Sequence, residues 1–324
     1  MRSSTPQQRR AFARDIVAAA GVRDPRIEEA FAQTPREDYA GPPPWFVAHA
    51  GRYVATNDLA DLYRDRLVAI DAARGINIGQ PTLHARCFEE LALKEGETIV
   101  HVGAGVGYYT AMLAQLVGAT GRAIGYEIDP DIAARARANL RGFPNVVVDA
   151  RSGVTQDLPA ANAIYVNAGA ATPYRDWLNA LKAGGRLLFP FEAPGAIGAM
   201  LLIERPAKGD SWPARFLFPV AFIPCEAAHD LATESRLAGQ FDDEGWRRIM
   251  AVNTDGSFFM CRAALRVMKA QGSGAIVNFS SIWGDIAGPG ALAYCASKGA
   301  ITVMTRALAL DLAGDGIRVN AVIP

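Results

Sequence analysis

Apolar residues in the first third of this chain recur at helical spacing, and the pattern changes near residue 98. The segment "QQRRAFARDIVAAAG" carries apolar residues three and four apart and stops at Gly21. "DPRIEEAFAQT" opens on Asp24, a capping residue, with Pro25 at the first helical position. Two short helices are therefore predicted between residues 6 and 34. "PREDYAGPPPWF" reads as a loop stiffened by Pro42, Pro43 and Pro44. Residues 58–73 read as irregular, with a helical turn at "DLADLYRD". In "GINIGQPTLHARCFEELALKEG" a loop at Gly79–Pro81 opens a helix that runs to about Leu93.

From residue 98 onward strand and helix alternate. Strands are predicted near 98–102, 123–127, 145–148, 163–167, 185–190, 198–204 and 215–222, and helices near 107–117, 130–141 and 173–182. Such alternation implies a mainly parallel sheet covered by helices. The last two strands break the pattern: the polar "AKGDSW" joins them as an antiparallel hairpin at the sheet edge. The expected fold is thus α/β and Rossmann-like, with seven strands ending in a hairpin. The acidic, polar stretch 226–244 reads as a linker. Beyond it come a long amphipathic helix over 245–270, the buried strand "GAIVNFSS", a glycine-rich loop, a helix over 292–313 and the strand "IRVNAVI". The predicted organisation is a helical and loop region (1–97), a nucleotide-binding α/β domain (98–225), the linker (226–244) and a partial α/β segment (245–324).

Composition narrows the class. Lys plus Arg and Asp plus Glu both number 33, so net charge is zero and nothing draws the chain to nucleic acid or an anionic membrane. Cys87, Cys225, Cys261 and Cys295 form no C-x-x-C pair, and the four histidines lack metal-ligand spacing. No disulfide framework and no metal are expected. The N-terminus has no apolar signal region and no run reaches the ~20 residues of a membrane span, so a cytoplasmic location is expected.

The chemistry centres on "TIVHVGAGVGYYTAMLA", Thr98–Ala114: a strand, a glycine turn and a helix start. Gly103, Ala104, Gly105 and Gly107, with Tyr108 behind them, form a turn in which backbone can approach a ligand closely and backbone N–H groups can face it. Its G-x-G-x-G spacing lacks the last glycine of the dinucleotide fingerprint. Glu127, followed by Ile128, ends the next strand, where a carboxylate accepts ribose hydroxyls of either NAD or S-adenosylmethionine. Asp149, followed by Ala150, ends the third strand, placed to accept from an adenine amino group, which favours the adenosyl cofactor. Asn167 ends the fourth. His101 reads as a packed strand residue rather than a base. "LKAGGRLLFP" (181–190) resembles the corresponding segment of S-adenosylmethionine-dependent methyltransferases.

With these pieces, "AFAQTPREDYA", "GINIGQPTLHARCFEEL" and "YEID" in order, residues 1–238 resemble the protein-L-isoaspartate O-methyltransferase family. The resemblance implies a class I methyltransferase fold, S-adenosylmethionine as methyl donor, S-adenosylhomocysteine as product, and a damaged-protein carboxylate as acceptor. A small-molecule acceptor is the other possibility. The family's T-I-S-Q-P motif corresponds to Asn77, Ile78, Gly79, Gln80 and Pro81. Asn77, Gly79 and Gln80 are therefore the candidate catalytic positions, with Gly79 lacking the family's hydroxyl. A cofactor-binding module without catalysis is a second reading.

Residues 245–324 resemble the catalytic half of a short-chain dehydrogenase/reductase, through Asn253, Ser281, Tyr294 and Lys298. Tyr294 and Lys298, four apart, share a helix face. The resemblance implies an NAD(P)-dependent oxidoreductase as a third reading. Yet the glycine-rich turn and first strands of that family have no counterpart here, so NAD(P) binding is not expected and the four residues read as idle. The helices over 245–270 and 292–313 correspond to that family's subunit interface, which implies a homodimer.

Overall fold

The computed structural model describes residues 3–192, 198–209, 211–225, 243–286 and 291–323. The chain divides into two units: Met1–Phe191 with Gly198–His229, and Asp230–Pro324 with Glu192–Ile197.

The first unit begins with the two helices the apolar spacing predicts. In α1 (Pro6–Ala20) the Thr5 hydroxyl accepts from the Gln8 N–H while the Gln8 side chain accepts from the Thr5 N–H. Gly21, at φ +69°, ends it. In α2 (Pro25–Gln33) Asp24 caps and Pro25 leads.

The stretch expected to be loop is more ordered than its sequence suggests. It contains α3 (Arg36–Ala40) and a hairpin of β1 (Trp45–His49) and β2 (Arg52–Thr56), then a 3-10 turn at Leu59–Tyr63 and the short pair β3 (Ala69–Asp71) and β4 (Ile76–Asn77). The prolines mask this hairpin in the sequence, but Trp45 and Val47 alternate inward just after them. A buried guanidinium organises the region. Arg36 donates to the carbonyls of Leu62 (2.8 Å), Arg64 (3.1 Å), Arg66 (2.8 Å) and Gly79 (3.3 Å). Helix α4 (Pro81–Leu91) follows at Pro81, as predicted.

The seven-stranded sheet then forms in the order β11-β10-β9-β8-β5-β6-β7. Its strands are β5 (Thr98–Val102), β6 (Arg122–Tyr126), β7 (Val146–Asp149), β8 (Ala161–Val166), β9 (Leu181–Phe191), β10 (Gly198–Glu204) and β11 (Ala214–Val220). Strands β5 to β9 pair in parallel, and β10 and β11 close the edge antiparallel, as expected. Alternate residues feed two apolar layers: Ile99 packs with α1, α2, α4 and α5 on one face, Val100 and Val102 with Trp177 on the other. Helices α5 (Tyr108–Leu116), α6 (Pro130–Asn139) and α7 (Arg175–Ala180) connect the strands. The last is shorter than its expected 173–182, because Leu181 already pairs with Ala161. Gly184 and Gly185 lie inside β9 at a bulge, where Ala161 pairs with Leu181 but Ala163 with Arg186.

The chain runs outward from β5 through β6 to β7, then returns to add β8 on the other side of β5. That reversal leaves a crevice at the carboxyl ends of β5 and β8, the usual ligand position in such sheets.

In the second unit the helix expected over 245–270 is interrupted. It comprises α-helix Asp243–Met250, a π-helical turn Ala251–Asp255 and α-helix Gly256–Gln271. Strands β12 (Gly274–Phe279) and β13 (Ile317–Val322) pair in parallel, with helix Leu292–Asp311 between them in the chain. Phe259, Met260, Val303 and Leu310 stay exposed. Most of the expected linker lies outside the described residues. Among those described, no helix is long and apolar enough to cross a membrane.

Trp177 is fully buried and donates to the Gly153 carbonyl at 2.8 Å, tying the helix layer to the loop after β7. Trp177→Ala is expected to destabilise the first unit by about 3–5 kcal/mol, read as a lower urea midpoint for its transition.

Candidate active site

Two adjoining cavities open at the crevice. One, of about 380 Å³, runs along Gly103, Gly105, Glu127, Ile128, Ser152, Gly153 and Asn167. The other, of about 470 Å³, is bounded by Asn77, Gly79, Gln80, His84, Tyr108, Tyr109 and Asn167. Asn77, Gly103, Gly105 and Asn167 border both.

The glycine turn separates them. Gly103, Gly105 and Gly107 all take positive φ (74°, 55° and 89°), and Gly107 starts α5. The expectation that the turn presents its N–H groups to a ligand is corrected at four positions. Gly103 and Ala104 both donate to the Tyr126 carbonyl (2.9 and 3.0 Å), Gly107 donates to Ala104, and Gly105 donates to Glu127 Oε2 at 2.7 Å. What the turn offers instead is a surface without side chains. At Gly105 that matters most, since a side chain there would be strained at φ +55° and the residue borders both cavities.

Glu127 is 8 % exposed. Its Oε1 accepts from the Asp129 N–H at 3.0 Å, so each carboxylate oxygen holds one backbone donor and keeps capacity for another. Burial pushes this carboxyl above the ordinary glutamate range, against the pull of those two donors. Ile128, 46 % exposed, supplies a flat apolar border beside it.

Asn167 follows β8 and is oriented by a buried chain of polar groups. Its Nδ2 donates to His101 Nε2 (2.7 Å), and His101 Nδ1 donates to the Thr110 hydroxyl (2.9 Å). Burial pushes the imidazole down to about 3, so it is neutral; with the Asn167 amide nitrogen facing Nε2, the ring's one proton is on Nδ1. Asn167 Oδ1 is buried with no partner among the described residues. His101 is therefore packed, as read, and also orients Asn167.

The other candidates differ in where they sit and in what holds them. Asp149 does not border either cavity. It pairs with Arg151 at 2.8 Å and is half-exposed, while Ser152 and Gly153 occupy the cavity wall at the level where it was expected. Ala150 and Gly107 border neither cavity, and Tyr108 borders the larger one rather than the one beside Glu127. Asn77 is engaged in its own turn, accepting from the Gly79 N–H (2.8 Å) and donating to the Gly75 carbonyl (3.0 Å). Gln80 precedes α4 but caps nothing with its side chain, which donates to Asp65 at 2.7 Å. Asp65 performs the capping, accepting from the Thr82 N–H and hydroxyl. Asp65, Arg36, His84 and Ser152 escaped the sequence reading. Only His84, a polar residue on an otherwise apolar helix face, carried a local signal.

In the second unit, Lys298 lies on the Tyr294 ring face, 5.6 Å from its centroid, and donates to the Phe279 carbonyl at 3.0 Å. Ser281 accepts from the Trp283 N–H (3.3 Å), and Asn253 donates to Ser297 (2.9 Å). Asn253 and Ser281 are thus bonded to Ser297 and Trp283 rather than to Tyr294 or Lys298.

Burial also holds His84 well below the ordinary histidine range. Unfolding lets both buried rings take up protons, so each contributes stability that is full above pH 6.5 and is lost as pH falls, down to about 3 for His101. The expected slope is about 1.4 kcal/mol per pH unit per ring. Urea midpoints between pH 7 and pH 4 check it: His101→Gln should flatten the dependence.

The family model for protein-L-isoaspartate(D-aspartate) O-methyltransferase matches residues 9–229, and that for short chain dehydrogenase matches residues 227–324. A protein-L-isoaspartate O-methyltransferase of Anaeromyxobacter sp. (strain Fw109-5) is 32% identical over 227 residues, covering 68% of this chain and 84% of the relative. A structure described as a protein-L-isoaspartate O-methyltransferase from Plasmodium falciparum in complex with S-adenosyl-L-homocysteine superposes with TM-score 0.55 at 20% identity, over 67% of this chain and 98% of that one. The galactitol 2-dehydrogenase of Cereibacter sphaeroides is 53% identical over 85 residues, only 26% of this chain and 34% of the relative.

Proposed function

This chain belongs to the protein-L-isoaspartate O-methyltransferase family, and we propose that it methylates the α-carboxylate of isoaspartyl residues at the two cavities between β5 and β8. The observation that carries the assignment is Glu127. Its oxygens are anchored by the Gly105 and Asp129 N–H groups beside the smaller cavity, ready to accept a ribose diol. Asn167 Oδ1, buried without a partner among the described residues at the border of both cavities, suits the ammonium of a methionine moiety. Ile128 provides an apolar face for adenine. These donors and acceptors fit S-adenosylmethionine and leave the larger cavity for the acceptor.

When bound, S-adenosylmethionine supplies a sulfonium-activated methyl: the acceptor carboxylate oxygen gains the O–CH3 bond, the C–S bond breaks, and its electron pair stays on sulfur. No proton moves, so no general base is required. The work left to the protein is alignment. The glycine turn keeps the path between cavities clear of side chains. The neutral His101 chain fixes Asn167, and Arg36 with Tyr109 fixes the Gly79 carbonyl at 3.3 and 3.2 Å.

The second unit, we propose, is chemically idle and self-associates through its helices. Exposed Phe259, Met260, Val303 and Leu310 support this. Sedimentation of the full chain should give a dimer, and Met260→Glu with Leu310→Glu a monomer. A monomeric unmodified chain overturns the proposal.

Labelled S-adenosylmethionine with an isoaspartyl peptide, beside its aspartyl twin, tests the activity: label should enter only the former. S-adenosylhomocysteine binding by calorimetry should weaken roughly 10- to 100-fold in Glu127→Ala, as expected for lost bonds to a charged acceptor, and vanish in Gly105→Asp. Binding without transfer would leave a cofactor-binding module.

A further inference from the structure

Gly79 lacks a side chain where the larger cavity needs a polar group, and His84 fills the gap. A Cβ at residue 79 would overlap His84 Nε2 and lie 3.1 Å from its Cδ2. The backbone there is also at φ +86°, a glycine conformation. The imidazole of His84 therefore occupies the place that a side chain at 79 would take, on the wall of the cavity assigned to the acceptor.

Three contacts fix the ring. It stacks on Tyr109 with centroids 3.5 Å apart and planes 14° apart. Its Nδ1 is 2.8 Å from the Tyr165 hydroxyl. Burial keeps the Tyr165 hydroxyl protonated. With that hydroxyl donating to Nδ1, the neutral ring carries its one proton on Nε2. Among the described residues nothing accepts from that N–H.

The surrounding charge suits an anion. Arg36 is fully buried, its guanidinium bonded only to backbone carbonyls and in no ion pair among the described residues. One of those carbonyls is that of Gly79 itself. A buried cation without a carboxylate partner, behind a cavity wall, favours a negative group in front of it.

We propose that His84 Nε2–H, reaching across the space left by Gly79, donates to the acceptor's carboxylate and sets the chain's preference for a carboxylate acceptor. The inference rests on the carboxyl-transfer reading above. His84 would be a substrate-binding group, not an acid or base.

The test uses the full chain saturated with S-adenosylhomocysteine and labelled with 15N-histidine. On addition of a short isoaspartyl peptide, the His84 Nε2 proton and nitrogen resonances should move, and with the peptide's carboxylates amidated they should not. In steady-state transfer, His84→Leu should lower kcat/KM for the peptide about 10- to 100-fold, mostly through KM, while S-adenosylhomocysteine affinity stays within twofold. His84→Gln, which keeps an amide donor, should recover most of the loss. Unmoved resonances, or His84→Leu with unchanged kcat/KM, overturn the role of His84. Resonances that move without methyl transfer by the unmodified chain uphold His84 as the carboxylate donor and overturn the transfer reading instead.

Discussion

A single hydrogen bond couples the sheet to the site: Glu127 Oε2 accepts from the Gly105 N–H at 2.7 Å. It joins the end of β6 to the turn after β5, and the paired bonds from Gly103 and Ala104 to Tyr126 reinforce it. A carboxylate this deep would ordinarily be costly, since burial favours its protonated form. Two backbone donors offset that cost and leave the outer face of the carboxylate for a ligand. The glycines are needed because the turn must fold back onto β6 at positive φ while keeping its outer surface bare. Crevice, turn and carboxylate are thus one arrangement, set by the reversal of strand order between β5 and β8.

The rest of the site is chemically quiet for the same reason that it is well defined. His84 and His101 are buried and neutral, and Tyr108, Tyr109 and Tyr165 are held protonated by burial. Such groups serve poorly as acids or bases near neutral pH, but they orient one another firmly. An anionic nucleophile attacking a sulfonium methyl requires no more than this. The dehydrogenase-like unit is the converse case. Lys298 sits over Tyr294, a pairing that could serve proton transfer, yet Asn253 and Ser281 are bonded to Ser297 and Trp283 and no dinucleotide turn accompanies them among the described residues.

Local signals made the parallel sheet, its closing hairpin and the first two helices legible in the chain. Period-2 burial, glycine punctuation and the Asp24–Pro25 cap act within a few residues of one another, so sequence states them directly. Glu127 and the glycine turn were legible for the same reason: strand ends and tight turns fix their own neighbours. The hairpin at 45–56 was not, because its prolines signal a loop and its inward-facing Trp45 and Val47 are defined by what they pack against.

What only the tertiary structure decided is the division of labour among polar groups. Asp149 looked like a ligand by position, but its neighbour Arg151 claims it. Asn77 and Gln80 matched a motif, but Gly79 and Asp65 hold them. Gly79 looked like a missing function until the fold placed His84 against it. A hydrogen bond between residues 81 apart, such as Tyr165 to His84, leaves no periodicity or spacing to read. The sequence by itself determined the backbone path and the cofactor turn, whose causes are local. Which side chain remains free to meet a ligand depends on competition among partners that only folding brings within reach.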